Sequence, residues 1–333
     1  MKTPETIRAL YLESGGTPPV CKLGDIPGSV LADGDVLIRV ECSSLNYKDA
    51  MMLKGLGYNL KEFPFIPGID VAGVVEDSDH ADFKAGDKVV LNGYGTGEST
   101  SGGFASHVRT RGDCLVAVPD GMTTQDTMTI GTAGLTAMLS VMFMEHEGVS
   151  PKSGDILVTG AAGGVGSVSI AILSALGYRV EASTGRMEEA DYLKSLGAAS
   201  VISRSELENG PERPLMVRRW AGCIDSVGGG TFSTVLSSLH KRGVIASCGL
   251  AASNQSEISL LPFLLRGTRV VGIDGGYGPI EERKEAWARI ASTLTSDQFA
   301  AMRTVVPLSD VLGLADEIIG GRVRGRTVIM VDQ

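Results

Sequence analysis

The chain has 333 residues, enough for two ordinary domains, and pairs 43% hydrophobic with 21% charged residues, a soluble globular balance. A net charge of −9 without any basic block argues against bulk nucleic-acid binding. Its 44 glycines and 5% aromatic content suit an α/β protein with many tight strand-to-helix turns better than an all-β sandwich.

Residues Met1–Glu13 show neither an apolar run nor a cleavage pattern, so no signal peptide is expected. The first ~125 residues read as short β runs, among them Asp35–Glu41, Val71–Glu76 and Lys88–Leu91. Turns at Pro27-Gly28, Asp33-Gly34, Pro67-Gly68 and Ala85-Gly86-Asp87 divide them, which predicts a twisted, partly closed β domain. Near Thr123 the texture changes. The apolar run Met128–Met144 and the glycine-broken run Ile156–Leu176 read as buried α/β core, not as membrane spans. Strands are predicted at Asp155–Thr159, Arg179–Ala182, Ser200–Ile202, Ala221–Asp225, Gly243–Cys248 and Thr268–Ile273, with helices at Met187–Leu196 and Phe232–Leu239. That alternation predicts a doubly wound parallel sheet. A polar helix at Glu281–Thr295 and a last strand at Arg326–Val331 follow, the strand returning to the first domain. Cysteines 21, 42, 114, 223 and 248 form no C-x-x-C pair, which suits reduced thiols and a cytosolic home.

The most specific motif is the strand Asp155–Thr159 followed by Gly160-Ala-Ala-Gly-Gly-Val-Gly166 and an apolar helix. Against G-x-G-x-x-G, Ala161 takes the first glycine position, with Gly163 and Gly166 at the others. Gly163 lets backbone approach a pyrophosphate, and Gly166 lets the helix pack close to the sheet. Ala162, Gly163, Gly164, Val165 and Gly166 are therefore expected cofactor contacts, at a helix N-terminus suited to phosphate. The end of the next strand reads Ser183-Thr184-Gly185-Arg186, free of acid, with Arg186 twenty residues past Gly166 (186 − 166). Two hydroxyls and a guanidinium fit a 2′-phosphate, so NADPH is favoured over NADH. Glu181 keeps the NAD alternative open, since a strand ending one residue earlier or later would bring it near the ribose.

These residues, together with Leu45-Asn-Tyr-Lys-Asp49, Pro67-Gly-Ile-Asp-Val-Ala-Gly73, Gly86-Asp-Lys-Val89, Gly131-Thr-Ala-Gly-Leu-Thr-Ala137, Asp225-Ser-Val-Gly228 and Gly325-Arg-Thr-Val328, resemble the medium-chain dehydrogenase/reductase superfamily in its quinone-oxidoreductase-like branch. Tyr192-Leu-Lys-Ser-Leu-Gly-Ala198, Cys248-Gly-Leu-Ala251 and Pro262-Phe-Leu-Leu-Arg266 look most like the acrylyl-CoA reductase group. The resemblance implies a GroES-like β-barrel domain (1–126 with 276–333) beside a Rossmann NADP-binding domain (127–275). It also implies a homodimer, and reduction of a short acyl-CoA substrate, acrylyl-CoA to propanoyl-CoA. Further cofactor contacts are implied at Arg204, Leu250, Leu264 and Gly275. The sequence departs from the pattern at Gly275-Gly276-Tyr277, where Ser and apolar residues are expected; this puts the exact substrate in doubt.

Zinc-dependent relatives carry Gly-His-Glu where this chain has Gly68-Ile69-Asp70, and Cys42 lacks a partner at workable spacing, so no metal is expected. Histidines 80, 107, 146 and 240 read as surface or core residues. Hydrogen bonds must then polarise the thioester oxygen. Tyr47 is expected at the nicotinamide end or at the substrate oxygen, against a plain half-buried core role, and Asn46 as a polariser. Lys48 and Asp49 are expected to pair with each other. Arg324 and Arg326 read as solvated, with CoA phosphates the alternative. A reductase of quinones or enones, or a non-catalytic NADPH-binding protein, are the competing functions.

Overall fold

The computed structural model describes every residue except 1, 17, 58, 59, 61, 332 and 333. Its strands are β1 (Thr6–Glu13), β2 (Val20–Pro27), β3 (Val36–Leu45), β4 (Asp70–Ser78), β5 (Lys88–Asn92), β6 (His107–Thr110), β7 (Val116–Ala117), β8 (Ile156–Val158), β9 (Val180–Thr184), β10 (Ser200–Ser203), β11 (Trp220–Asp225), β12 (Leu239–Ser247), β13 (Arg269–Gly272), β14 (Arg303–Pro307) and β15 (Arg326–Met330). The helices are α1 (Tyr47–Leu53), α2 (Thr124–His146), α3 (Gly164–Ala175), α4 (Ala190–Ser195), α5 (Gly229–Ser238), α6 (Leu261–Arg266), α7 (Ile280–Thr293), α8 (Ser296–Met302) and α9 (Val311–Ile319). The chain divides into two compact units, residues 1–132, 276–287 and 299–333, and residues 133–275 and 288–298.

The first unit is built on a sheet ordered β14-β15-β3-β4-β5-β7, with β6 also paired to β3, and a separate β1-β2 ladder. The last strand, β15, pairs antiparallel with β3 through Thr327↔Leu45 to Met330↔Cys42, so the C-terminal strand does return to the N-terminal sheet. Apolar residues of β3 and β4, with Leu10, Leu12, Ile66, Phe104 and Ile329, close one hydrophobic core.

The second unit holds a six-stranded sheet ordered β10-β9-β8-β11-β12-β13, parallel at every pairing. The order reverses between β8 and β11, the switch point at which doubly wound sheets bind ligands beyond their strand C-termini. Strands β8 and β11 are buried throughout and read as apolar or small runs, broken only by Asp225 at the end of β11.

Several expected boundaries shift. β9 runs on to Thr184 instead of stopping at Ala182, because it pairs with β10 through Ser203↔Thr184. β12 begins at Leu239, not Gly243, and the register against β11 slips between Trp220 and Gly222. The helix expected at Met187–Leu196 is a 3₁₀ turn, Met187–Glu189, followed by α4. Strands β1, β2, β6, β7 and β14 and helices α1, α6, α8 and α9 are given no range by the sequence analysis. Helix α2 is long and apolar enough to cross a membrane, but 83% of its most apolar window is buried within the protein. Gly131, at φ 50° and ψ −161°, breaks it in the middle.

Candidate active site

In the second unit the glycine loop is anchored at both ends. Ala161 N donates to Ser183 O at 3.1 Å, and Gly163 N donates to Gly160 O at 2.9 Å. Helix α3 starts at Gly164 with Gly163 as its cap and no side chain bonded to its first turn. Its first N–H groups are therefore left for another acceptor. A Cβ on Gly166 would lie 2.5 Å from Gly160 O and 2.6 Å from Ala161 Cα, so only glycine lets the helix sit this close to the loop. Residues 163–165 are partly exposed while Ala161, Ala162 and Gly166 are buried. A bare helix N-terminus on a Gly-only close approach fits a dinucleotide pyrophosphate.

The end of β9 carries the second part of the site. Ser183 and Thr184 are buried, and Thr184 Oγ1 accepts from Arg186 N at 3.0 Å. Arg186 does not stand fully in solvent. It is partly buried; its Nη2 donates to Ala162 O at 3.2 Å, and its Nη1 lies 3.8 Å from Glu189. The Arg204 guanidinium covers Gly185, its Cζ 3.0 Å from where a Cβ would stand, and its Nε donates to Glu208 at 3.1 Å. One guanidinium, that of Arg204, thus lies over Gly185, and the other, that of Arg186, lies at the glycine loop on Ala162 O. Glu181 is held elsewhere: its carboxylate accepts from Trp220 Nε1 at 2.8 Å, Ser200 Oγ at 3.0 Å and Arg219 Nη2 at 3.2 Å. Those three donors keep it from a ribose at the strand end.

Asp225, at the end of β11, appears in the sequence analysis as a strand end and a motif residue but not as a site residue. It is fully buried and accepts from Thr159 Oγ1 at 2.6 Å and Gly228 N at 3.0 Å, bonds that only partly offset the rise that burial imposes on its pKa, which stays raised. Ser226 then donates to Thr159 O and accepts from Ala251 N, so the loops after β8, β11 and β12 are tied together at one end of the sheet. Leu250 lies there, 63% exposed, its Cα 3.6 Å from a Cβ built on Gly228. Leu264, on α6, is 76% exposed. Gly275 is the last residue of the main segment of this unit.

In the first unit Asn46 and Tyr47 stand over a buried polar cluster. Asp70, at the start of β4, is fully buried. It accepts from Ser44 Oγ at 2.5 Å, Asn46 Nδ2 at 2.8 Å, Asn92 Nδ2 at 2.6 Å and Thr132 Oγ1 at 2.6 Å. Arg326 is the cation of the cluster. It is 3% exposed, not solvated as expected, and donates to Thr129 O at 3.0 Å, Asn46 Oδ1 at 3.1 Å and Ser44 Oγ at 2.8 Å, with Nη2 3.9 Å from Asp70. Burial pulls its pKa down, while Asp70 and Asp49 push it up. Arg324 remains exposed. A Cβ on Gly131 would meet Asp70 Oδ2 at 2.6 Å and Arg326 Nη2 at 2.7 Å, so this glycine serves both its positive φ and the close approach.

Both ends of the Asn46 amide are consequently engaged inside the protein. Its role here is to cap α1 reciprocally with Asp49. Asp49 does not pair with Lys48. It accepts from Asn46 N at 2.8 Å and Ile69 N at 3.0 Å, while Lys48 reaches Glu98 at 3.0 Å. Tyr47, the first residue of α1, is 45% exposed.

Burial, and then the Asp70 charge, push Asp49 up to about 7, with the bonds from Asn46 and Ile69 opposing. The folded protein thus holds a proton that the unfolded chain releases. This contribution is intact below about pH 4 and is lost as pH rises to about 7. In urea titrations between pH 5 and 7, wild type should lose stability relative to Asp49→Asn, by up to about 1.4 kcal/mol per pH unit. A pH-independent difference would contradict the assignment.

Among the described residues no three His, Cys, Asp or Glu side chains gather as a metal site. Buried Cys42 lies 3.6 Å from Met330 Sδ, and His80 and His107 bond Asp113 and Glu76.

Residues 32–120 match the alcohol dehydrogenase GroES-like domain and residues 164–292 the zinc-binding dehydrogenase family. The acrylyl-CoA reductase AcuI of Ruegeria pomeroyi is 45% identical over 323 residues, 96% of each chain. The chain belongs to the medium-chain dehydrogenase/reductase superfamily of oxidoreductases. Its fold is that superfamily's GroES-like domain plus Rossmann sheet. The YhdH oxidoreductase of Salmonella enterica, solved in complex with NADP, is 43% identical with a TM-score of 0.95, covering 98% of this chain and all of the other. The putative quinone oxidoreductase YhfP of Bacillus subtilis is 40% identical over 97% of this chain and 98% of its own. Its structure, with NAD bound, aligns at a TM-score of 0.93 and 38% identity, covering 98% and 99% of the two chains.

Proposed function

We propose that this oxidoreductase uses NADPH to reduce the activated double bond of a small enoyl-CoA, acrylyl-CoA to propanoyl-CoA. The end-to-end 45% identity to an acrylyl-CoA reductase carries the reading. Arg204 over Gly185 and Arg186 at the glycine loop, with Glu181 sequestered, support the choice of NADPH over NADH. In this account Ala162–Gly166 bind the pyrophosphate. Ser183, Thr184, Gly185, Arg186 and Arg204 surround the 2′-phosphate, and Leu250, Leu264 and Gly275 contribute further contacts. Residues 1–126 with 276–333 serve the substrate and residues 127–275 the cofactor.

NADPH when bound supplies the hydride that adds to the substrate Cβ. Negative charge then develops on the thioester oxygen, and the Tyr47 hydroxyl, on an exposed ring fixed to the start of α1, is the donor we assign to it. Asn46 we assign to positioning that helix start, because its amide has no free end to polarise a substrate. Solvent delivers the proton to Cα, completing a saturated thioester.

Reduction of quinones is the second reading, favoured by the YhfP name. CoA itself separates the two: it should inhibit competitively against the organic substrate if the thioester reading holds. Inhibition by quinone analogues alone would favour the alternative.

We further propose a zinc-independent, cytosolic homodimer. The zinc-free reading rests on Ile69 at the His position. The cytosolic reading rests on five cysteines that form no disulfide with one another. Dimerisation rests on β13, an edge strand, and on exposed Leu260, Leu261, Leu264 and Leu265 just before it. Such an edge is an aggregation hazard unless a twofold partner covers it. One purified sample should give a dimer mass by light scattering at micromolar concentration and no stoichiometric zinc by elemental analysis. A monomer, or one zinc per chain, would refute the corresponding proposal.

A further inference from the structure

The strands of the second unit's sheet all run parallel, so the glycine loop after β8 and Gly185 after β9 leave the same end of it. At the other end, where β12 and β13 begin, His240, Lys241, Arg242, Arg269 and Glu147 line a recess of about 350 Å³. That volume lies at the small end of the range for ligand pockets.

An irregularity in β12 builds this recess. While β11 advances from Trp220 to Gly222, β12 advances from Leu239 to Val244. Pairing with β13 begins only at Val244. His240, Lys241 and Arg242 therefore bulge out of the ladder, and bulges re-aim side chains. Arg242 sits at φ 62°, a strained conformation of the kind that collects at ligand clamps. The bulge is braced from both sides. Arg269 pairs with Glu147, and its Nη2 reaches Arg242 O at 3.5 Å. The His240 ring lies against Gly154, where a Cβ would stand 2.9 Å from His240 Cε1.

The charges around the recess are unbalanced. Lys241, Arg242 and Arg269 face one carboxylate, Glu147, which Arg269 already holds. Among the described residues, no side chain of the protein bonds or pairs with the side chains of His240, Lys241 or Arg242. In a chain of net charge −9 this is a local concentration of free cationic donors, which is what an anion requires. Lysine and arginine side by side suit phosphate oxygens, one as a point charge and the other as a fork of donors.

We propose that this recess binds a small phosphate-bearing molecule, with Lys241 and Arg242 as its charged donors and His240 as a third contact. The site is separate from the glycine loop, which lies at the opposite end of the sheet.

The test is calorimetric titration of inorganic pyrophosphate into the NADP-saturated protein at fixed ionic strength, so that the glycine loop is already filled. Wild type should bind saturably. Lys241→Gln should weaken binding by about tenfold, the low end for a charged hydrogen bond because the side chain is exposed. Adding Arg242→Asn, a residue that tolerates the left-handed backbone, should bring a further loss of similar size. Both variants should melt as wild type does and bind NADP as tightly. No saturable binding to wild type, undiminished affinity in folded Lys241→Gln, or equal heat from chloride at the same ionic strength would overturn the site. Parallel losses of pyrophosphate and NADP binding would place the binding at the glycine loop and overturn it as well.

Discussion

Arg326→Met should cost the protein about 3–5 kcal/mol, the range for removing one partner from a buried ion pair. The guanidinium is the cation that the cluster holds against Asp70 and Asp49, both fully buried. It also satisfies Thr129 O, Asn46 Oδ1 and Ser44 Oγ. A methionine of similar length fills the space but leaves the Asp70 charge uncompensated and those acceptors with one donor fewer. Marginal stability of ~5–15 kcal/mol makes this a large fraction of the total. The urea midpoint should fall sharply, and adding Asp70→Asn should recover part of the loss by removing the stranded charge. A single variant within about 1 kcal/mol of wild type would mean that the cluster stabilises little.

Arg186→Ala should weaken NADPH binding by about 10- to 150-fold, the equivalent of the ~1.5–3 kcal/mol of a charged hydrogen bond. NADH, which lacks the 2′-phosphate, should change little. The geometry refines which groups share the load. Ser183 and Thr184 are buried, and Thr184 Oγ1 is already taken by Arg186 N. Arg204, lying over Gly185, is a second guanidinium at this strand end, and sharing the phosphate with it holds the loss toward the lower end. Arg186 also holds Ala162 O, so part of the change acts through the glycine loop. Fluorescence titrations with both nucleotides separate the contributions. Equal losses for NADPH and NADH would show that Arg186 supports the loop and not the phosphate.

The Rossmann unit was largely legible because its information is local. A buried parallel strand reads as an apolar run, and Gly160–Gly166 names its own turn and helix start. Strand ends were less legible, since β9 is extended to Thr184 by its pairing with β10, a tertiary effect. The cluster under Tyr47 was illegible in its connections. Asn46 and Arg326 are 280 residues apart, and nothing in either neighbourhood announces the other. Signals for it did exist: an aspartate opening the apolar run Asp70–Val75, and a glycine inside an apolar helix at Gly131. A charge opening a buried strand needs a partner, and here the final strand supplies it. Reading Arg326 as surface failed because local polarity cannot tell a solvated arginine from one buried against carboxylates.

The central claim is the pairing of NADPH with a short enoyl thioester. The most direct measurement is NADPH oxidation by the purified protein with acrylyl-CoA, alongside crotonyl-CoA and a quinone, with the organic product identified by mass. One propanoyl-CoA should form per NADPH consumed, with kcat/KM for acrylyl-CoA at least about tenfold above that for the quinone. NADH should be the poorer reductant. Quinone reduction without thioester turnover, or NADH serving as well as NADPH, would contradict the claim.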